Sequence, residues 1–117
     1  MLFVCYSNCS TCKKARAFLD SHNADYTARD IKADHPTEEE LRLWHAKSGL
    51  PLKKFFNTSG GQYKALGLKD KLPAMTEDEQ FALLATDGML VKRPILVLDN
   101  GRVLVGFREA EWAEALG

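Results

Sequence analysis

The first 22 residues place the strongest constraint on the fold of this chain. The run Leu2–Tyr6 is apolar and short, as in a strand that is buried on both faces of a sheet. Cys9 and Cys12 follow this run, and apolar residues then recur every three or four positions to about His22, which predicts an amphipathic helix. A strand that leads through two thiols into a helix predicts an α/β domain with reactive groups at the strand–helix junction.

Three further segments predict the remaining strands. Ala24–Ile31 follows the first helix, and we expect it to run parallel to the first strand, because β-α-β units join parallel strands by a right-handed crossover. Nearer the carboxyl terminus, Ile95–Leu98 and Val103–Val105 flank Asn100 and Gly101. An Asn-Gly pair between two apolar runs predicts a hairpin whose two central turn residues both have positive φ.

The segment between these strand regions is predicted to be helical. A threonine with a glutamate three residues later forms a capping box, and such boxes start helices after Thr37 and Thr76. We therefore predict a helical insertion at about residues 36–88 and a last short helix over Glu109–Leu116. The order is β-α-β, helical insertion, β-β-α. Since no repeat, linker or low-complexity stretch interrupts it, we expect a single domain over residues 1–117.

Composition and charge exclude several classes of protein. Hydrophobic residues make up 45% of the chain and charged residues 27%, which is typical of a globular domain. The 16 basic and 16 acidic residues give a formal net charge of zero, so charge predicts neither direct nucleic-acid binding nor binding to an anionic membrane. No apolar run reaches membrane-spanning length, and the amino terminus lacks the pattern of a signal peptide, so we expect a cytoplasmic protein.

The three cysteines are too few, and odd in number, for a secreted disulfide framework. In a reducing compartment the close pair Cys9 and Cys12 is expected to be catalytic, redox-active or metal-binding. A zinc site needs two more ligands, and the three histidines do not form a second pair of the usual spacing, so we expect no metal. Two unrelated buried thiols remain the alternative, and core packing is the favoured interpretation of Cys5, in mid-strand.

Cations follow the thiols at a position where a helix normally carries acidic residues. We expect Ser10 or Thr11 to cap the helix, which places Cys9 just ahead of the free helix amides. These amides, with Lys13 as the nearest cation, would lower the pKa of the Cys9 thiol and favour its thiolate. Cys12, one turn inside the helix, is then the natural resolving thiol.

Four segments of the chain carry a resemblance to a known family: CSTCKKARAFLD, LPLKKFFNTSG, YKALGL and DGMLVKRPILV. In this order they resemble the ArsC/Spx/YffB family of glutaredoxin-like proteins, which includes arsenate reductases and the regulators of the Spx and MgsR type. The resemblance covers essentially the whole chain and implies a thioredoxin-like fold with a four-stranded mixed sheet. It also implies that Pro94 is cis and packs beside the cysteine loop, that Arg93 lies close to Cys9, and that Cys9 is the redox-active residue.

The resemblance also assigns roles to individual residues. Arsenate reductases of this family use one nucleophilic cysteine and three arginines that hold the oxyanion. By the resemblance, Cys9 is this cysteine and Arg93 is one of the arginines. The segment expected to hold the second arginine, Asn57–Gly61, has none, and Arg108 lies near the position of the third. Cys12 supplies a resolving thiol, which many Spx-type regulators have.

Two functions follow from the resemblance. In a thiol-based reductase, Cys9 attacks arsenate or a disulfide, Cys12 or glutathione resolves the adduct, and glutathione or thioredoxin is the electron donor. The predicted anion-binding residues are Lys13, Arg93, Pro94 and Arg108. In a redox-sensing regulator, a Cys9–Cys12 disulfide instead controls binding to RNA polymerase, without direct contact with DNA. Lys53–Phe56 would then be a docking segment, although core packing of its phenylalanines is favoured. We expect no bound cofactor and no membrane partner.

Overall fold

The first strand lies at the centre of the sheet and leads directly into the cysteine loop. A computed structural model describes residues 1–117. The strands are β1 (Leu2–Cys5), β2 (Thr27–Asp30), β3 (Ile95–Val97) and β4 (Val103–Val105), in the order β2-β1-β3-β4 across the sheet. β1 pairs in parallel with β2 and antiparallel with β3, which in turn pairs antiparallel with β4. This four-stranded mixed sheet confirms the thioredoxin-like fold expected from the sequence.

Six helices and three short 3₁₀ turns complete the fold. The helices are α1 (Ser10–Ser21), α2 (Glu38–Ser48), α3 (Gly61–Ala65), α4 (Leu68–Lys71), α5 (Glu77–Leu84) and α6 (Glu109–Leu116). The 3₁₀ turns are Leu52–Phe55, Leu72–Ala74 and Gly88–Leu90. Helices α2 to α5 and all three turns lie between β2 and β3, which is the position predicted for the helical insertion. None of the helices has both the length and the apolar character that are required to cross a bilayer.

The sheet separates two buried clusters of side chains. One cluster lies under α1 and α6 and contains Phe3 and Cys5 of β1, with Leu19 and Trp112 from the helices. The other lies under the insertion and contains Val4 of β1. Alternate side chains of a strand point to opposite faces, so β1 contributes to both clusters and is covered on both faces. The fold therefore has three layers, with the sheet in the middle, and the expected core position of Cys5 is confirmed.

Backbone hydrogen bonds join the insertion to the segment that leads into β3. The N–H of Asn57 donates to the carbonyl of Leu90 at 2.8 Å, and the N–H of Lys92 donates to the carbonyl of Phe55 at 2.7 Å. Between them lies one antiparallel bridge. The side chains of Phe55 and Phe56 are 0% and 1% exposed, so the structure confirms that they pack in the core.

Two local features differ from the predictions. β2 begins at Thr27, because Asn23 has a φ of 52° and the N–H of Ala24 still bonds to a carbonyl of α1 at 3.0 Å. The predicted hairpin joins β3 and β4, but positive φ is found only at Gly101 (90°), so the prediction for Asn100 was wrong. The N–H of Gly101 donates to the carbonyl three residues before it at 2.9 Å, as in a type I turn that ends in a left-handed glycine.

Candidate active site

Cys9 occupies the N-cap position of α1. Its backbone is extended, with φ −94° and ψ 120°, and its carbonyl accepts the N–H of Lys13 at 3.0 Å. The predicted cap at Ser10 or Thr11 is wrong, because both residues already belong to the helix. No side-chain hydrogen bond caps the helix and its first turn has no acidic residue, so no carboxylate competes with the Cys9 thiol for the free amides.

The surroundings of Cys9 favour its thiolate. Burial raises the pKa of this thiol, but the N–H and the thiol of Cys12 and the guanidinium of Arg93 together outweigh that effect, and the pKa lies below its ordinary value. A helix N-terminus and a neighbouring cation lower thiol pKa values in general. Cys9 is also half-exposed and not in a disulfide. It is therefore an accessible thiol, and the fraction present as thiolate at neutral pH is larger than in free cysteine.

Cys12 has the opposite character. It is 3% exposed, and its Sγ accepts the N–H of Tyr6 at 3.3 Å. Burial raises the pKa of its thiol to about 12, against the lowering effect of the Tyr6 N–H, and the neighbouring Cys9 raises the pKa further. At neutral pH the Cys12 thiol is therefore protonated. Two neighbouring groups whose pKa values are driven apart can take different roles in one reaction.

Arg93 approaches the cysteine loop from the segment before β3. The peptide bond between Arg93 and Pro94 is cis and Pro94 is buried, as the resemblance implies. The guanidinium lies over the ring of Tyr6, with its central carbon 5.2 Å from the ring centre, and close enough to Cys9 to lower that thiol's pKa. Its Nε and Nη1 are buried without a hydrogen-bond partner. Buried donors of this kind are normally satisfied, so Arg93 has unused hydrogen-bond donors at the cysteine loop.

Lys13 lies in the first turn of α1. It is exposed and lines a cavity of about 360 Å³ together with Cys5, Cys12 and Arg16. The Nη2 of Arg16 donates to the Sγ of Cys5 at 3.8 Å. Cys5 is 8% exposed, and burial raises the pKa of its thiol although Arg16 acts in the opposite direction. Lys13 and Arg16 thus line a cavity with Cys5 and Cys12, whereas Arg93 is the cation that acts on Cys9.

Arg108 lies at the N-cap of α6, exposed, and faces the largest cavity of the molecule, of about 630 Å³. Lys53, Lys54 and Lys92 also line this cavity, as does Thr11 from the first turn of α1. Arg108 therefore belongs to a basic wall next to the loop, in a cavity that Arg93 does not line. Lys92 and Tyr6 have no role in the sequence-based prediction, although Lys92 directly precedes Arg93.

The three histidines do not join the thiols. His22 stacks on Phe18, with ring centres 4.1 Å apart, and His45 packs edge-on against Phe55 and Phe81. His35 lies in the turn before α2 and is exposed. No three His, Cys, Asp or Glu side chains come together in a geometry that could hold a metal ion. The chemistry that this arrangement supports directly is that of a thiolate beside a guanidinium.

Comparison with known proteins places this site in a family. The sequence profile of the ArsC family matches residues 5–115. An ArsC family related protein from Bacteroides fragilis has a crystal structure with a TM-score of 0.95, 58% identity, and coverage of 99% of this chain and 96% of that one. For the crystal structure of a "possible arsenate reductase" from Streptococcus mutans UA159, the TM-score is 0.88, the identity 50% and the coverage 97% and 96%.

A regulator is also among the relatives. The global transcriptional regulator Spx of Staphylococcus aureus (strain COL) is 30% identical over 105 residues, which are 89% of this chain and 77% of the regulator. Reductase-like and regulator-like proteins thus share this sequence pattern and fold. Because the family profile spans nearly the whole chain, from the last residue of β1 to α6, the chain belongs to the ArsC family.

Proposed function

We propose that the protein is a thiol-dependent reductase in which Cys9 is the nucleophile and Cys12 the resolving thiol. The observation that carries the proposal is the contrast between the two thiols. Cys9 is accessible and has a lowered pKa, whereas Cys12 is buried and has a pKa of about 12. A nucleophile needs a thiolate at neutral pH, and a resolving thiol must stay unreactive until the first step is complete.

With a disulfide substrate, the Cys9 thiolate attacks one sulfur, a Cys9–substrate disulfide forms, and the other half of the substrate leaves as a thiolate. Cys9 then carries no negative charge, and one cause of the raised pKa of Cys12 is gone. Cys12 loses its proton to solvent and attacks Cys9, which releases the second half of the substrate as a thiolate and leaves a Cys9–Cys12 disulfide. Two electrons from glutathione or thioredoxin return both thiols to the reduced state.

Arg93 has the geometry for binding the anion in this reaction. Its unpartnered Nε and Nη1 would donate to the oxygens of arsenate while the Cys9 thiolate attacks the arsenic atom, an S–As bond forms, and one oxygen leaves as water with protons from solvent. Cys12 or glutathione then attacks the Cys9 sulfur, and the S–As bond breaks with its electron pair on arsenic, which leaves as arsenite. With a disulfide, the same guanidinium stabilises the departing thiolate. An oxyanion substrate is supported by family membership and by the similarity to the Streptococcus mutans protein.

A redox-sensing regulator is the second candidate, and the similarity to Spx favours it. In this case the Cys9–Cys12 disulfide is itself the signal. Its formation would pull the half-exposed Cys9 towards the buried Cys12, change the surface of the loop, and so alter the affinity for RNA polymerase. The two candidates use the same pair of thiols and differ in whether the disulfide is turned over.

Turnover of arsenate and of a small disulfide, each with glutathione or with thioredoxin, separates the two candidates. We expect the purified protein to reduce at least one substrate and Cys9→Ser to be inactive on it. If no substrate is turned over and the oxidised protein alone captures purified RNA polymerase, the reductase is refuted in favour of the regulator. A Cys9 pKa at or above that of free cysteine would contradict both candidates, because each needs a ready thiolate.

A further inference from the structure

The largest cavity of the molecule lies between the insertion and the thioredoxin-like part of the chain. Its volume is about 630 Å³, which is within the range of small-molecule sites. One wall comes from Lys53, Lys54 and neighbouring residues of the insertion, and the opposite wall from the connection between β4 and α6, which includes Arg108. We call this space the basic cavity. It is present only because the insertion packs beside the end of the sheet.

The basic cavity holds a surplus of positive charge. Lys53, Lys54, Lys92 and Arg108 line it, against a single carboxylate, that of Glu111. None of the four cations is in an ion pair, whereas Arg29, Arg42 and Arg102 elsewhere in the chain all are. In a chain whose charges balance overall, this local surplus is uncompensated. Like charges around one concave surface repel each other, and a bound anion removes that cost.

Lys92 is fixed in the basic cavity by the fold. Its N–H donates to the carbonyl of Phe55, and its Cε lies 3.4 Å from the position that a Cβ at residue 106 would occupy. Gly106 has a φ of 76°, and its N–H donates to the carbonyl of Pro94 at 2.8 Å. Glycine at this position lets the backbone take the left-handed conformation, and the lysine side chain packs beside it. Lys92 is half-buried, with its backbone held by the hydrogen bond to Phe55.

The basic cavity also adjoins the cysteine loop. Thr11, which lies between the two thiols in sequence, forms part of its wall. Lys92 is followed directly by Arg93, whose guanidinium acts on Cys9. Thr11 and Lys92 thus connect the wall of the basic cavity directly to the chain segments that carry Cys9 and Arg93.

We propose that the basic cavity binds the carboxylate groups of a small acidic disulfide and so presents its sulfur atoms to Cys9. This inference rests on the proposed reductase function and names the substrate class that the site prefers. The chemistry is the exchange described above, in which one Cys9–substrate disulfide forms, one acidic thiolate leaves, and Cys12 releases the second. The insertion is thus the specificity element of the enzyme, and the lysines select the substrate without taking part in bond making.

Binding is tested first, without chemistry. Dithiodiglycolate, a small disulfide with two carboxylates, and the uncharged hydroxyethyl disulfide are titrated into the Cys9→Ser protein and followed by calorimetry. We expect only the dianion to bind, and Lys53→Gln/Lys54→Gln to weaken its binding by about 3- to 10-fold at low salt. Lys47→Gln/Lys71→Gln changes the net charge equally at exposed positions outside the basic cavity and keeps the affinity of the parent protein.

Chemistry is tested second, as the thiol released in a single turnover by the reduced protein with no added reductant. We expect the acidic disulfide to react with a higher second-order rate constant than the neutral one, and Lys53→Gln/Lys54→Gln to raise the half-saturating concentration of the acidic one alone. If both disulfides are reduced with equal kinetics and the dianion does not bind, the proposal that the basic cavity binds an acidic disulfide is wrong. The reductase function would still stand. Dianion binding without release of thiol from either disulfide would refute disulfide reduction by Cys9, and with it the proposed substrate class, and leave only an anion site.

Discussion

At the scale of single residues, the reactivity of the thiols is set by their neighbours. Cys9 and Cys12 carry the same side chain three positions apart, yet the pKa of one is lowered and that of the other is raised to about 12. Burial acts in the same direction on both. The difference arises because Arg93 and the helix amide favour the Cys9 thiolate, while the Cys12 thiol is more deeply buried and next to that charge.

Alkylation with iodoacetamide measures this difference. We expect Cys9 to react at neutral pH faster than free cysteine, because the gain in thiolate outweighs the small loss of nucleophilicity that accompanies a lower pKa. Cys12 reacts much more slowly at neutral pH, because burial raises the pKa of its thiol and shields it from the reagent. Mass spectrometry of the modified peptides against pH follows both, and the fast reaction is absent from Cys9→Ser. Equal rates for the two thiols at neutral pH would contradict the structure.

Arg93→Gln tests the cation that acts on Cys9. Removing the guanidinium removes a cause that lowers the pKa of Cys9, so this pKa rises and alkylation at neutral pH slows by roughly 2- to 10-fold. Thiolate absorbance against pH gives the pKa directly. Arg102→Gln, which removes an exposed guanidinium from the hairpin, serves as the control and leaves the titration unchanged. A Cys9 titration that is the same in Arg93→Gln and in the parent would show that Arg93 does not favour the thiolate.

The sequence predicts contacts between residues that are close in the chain better than contacts that form only when the chain folds. The spacing of Cys9 and Cys12 before an amphipathic pattern is enough to place both thiols at a helix N-terminus. Lys13 is the nearest cation in sequence, but helix geometry directs it to the cavity beside Cys12. Lys92 reaches the basic cavity through a bridge between segments that are far apart in sequence, and no local pattern predicts such a contact.

At the scale of secondary-structure elements, local capping chemistry explains which helix starts are predictable. Thr37 and Thr76 each accept the N–H of a glutamate three residues later, and each glutamate accepts the threonine N–H in return, as the sequence predicts. These contacts lie within four residues, so tertiary structure is not needed to foresee them. The start of α1 was predicted less well, because its cap is a cysteine and has no hydrogen-bonding signature in the sequence.

The two capping boxes form a matched pair for a stability experiment. Glu40 of α2 also binds Arg29 of β2, with oxygen–nitrogen distances of 2.6 and 2.9 Å, whereas Glu79 of α5 is in no ion pair. Arg29 lowers the pKa of Glu40 to about 2 although burial opposes the shift, and the N–H of Thr37 lowers it further. The arginine joins the edge strand of the sheet to the first helix of the insertion, so this pair links two layers of the fold.

We expect Glu40→Gln to lower the free energy of unfolding at neutral pH by about 1–2 kcal/mol more than Glu79→Gln does. Both glutamines can keep the capping box, so the difference isolates the ion pair. A carboxylate whose pKa is lowered by folding stabilises the protein fully above its unfolded-state pKa of about 4.3, and the effect is lost as pH falls towards 2. Urea unfolding against pH measures this. A difference between the variants that persists at the lowest pH would exclude the ion pair as its cause.

At the scale of the whole molecule, the insertion covers one face of the sheet, and α1 and α6 cover the other. The two tryptophans report on the two sides separately, because Trp44 lies in the cluster under the insertion and Trp112 in the cluster under α1 and α6. Gly88, at the end of the insertion, packs directly on the residue that follows β2. A Cβ added to Gly88 would overlap the carbonyl oxygen of Ile31, so the backbones of the two parts are in contact. This contact predicts that neither part unfolds alone.

Gly88→Ala tests that prediction. We expect it to lower the free energy of unfolding by more than about 3 kcal/mol, because backbone atoms of Ile31 have to move to admit a methyl group. In Trp112→Phe and Trp44→Phe backgrounds, the remaining tryptophan follows one side of the sheet at a time in urea.

Both urea midpoints fall together if residues 1–117 are one cooperative domain, because side chains from the same strands complete both clusters. Gly61→Ala controls for the added methyl group, since no atom lies within 4 Å of a Cβ at that position, and it leaves both midpoints in place. A Trp44 transition that moves while the Trp112 transition stays would mean that the insertion unfolds on its own. The basic cavity has walls from both parts, so it would then lose one wall whenever the insertion unfolds. In Gly88→Ala, its affinity for an acidic disulfide would fall at urea concentrations where the Trp112 side is still folded.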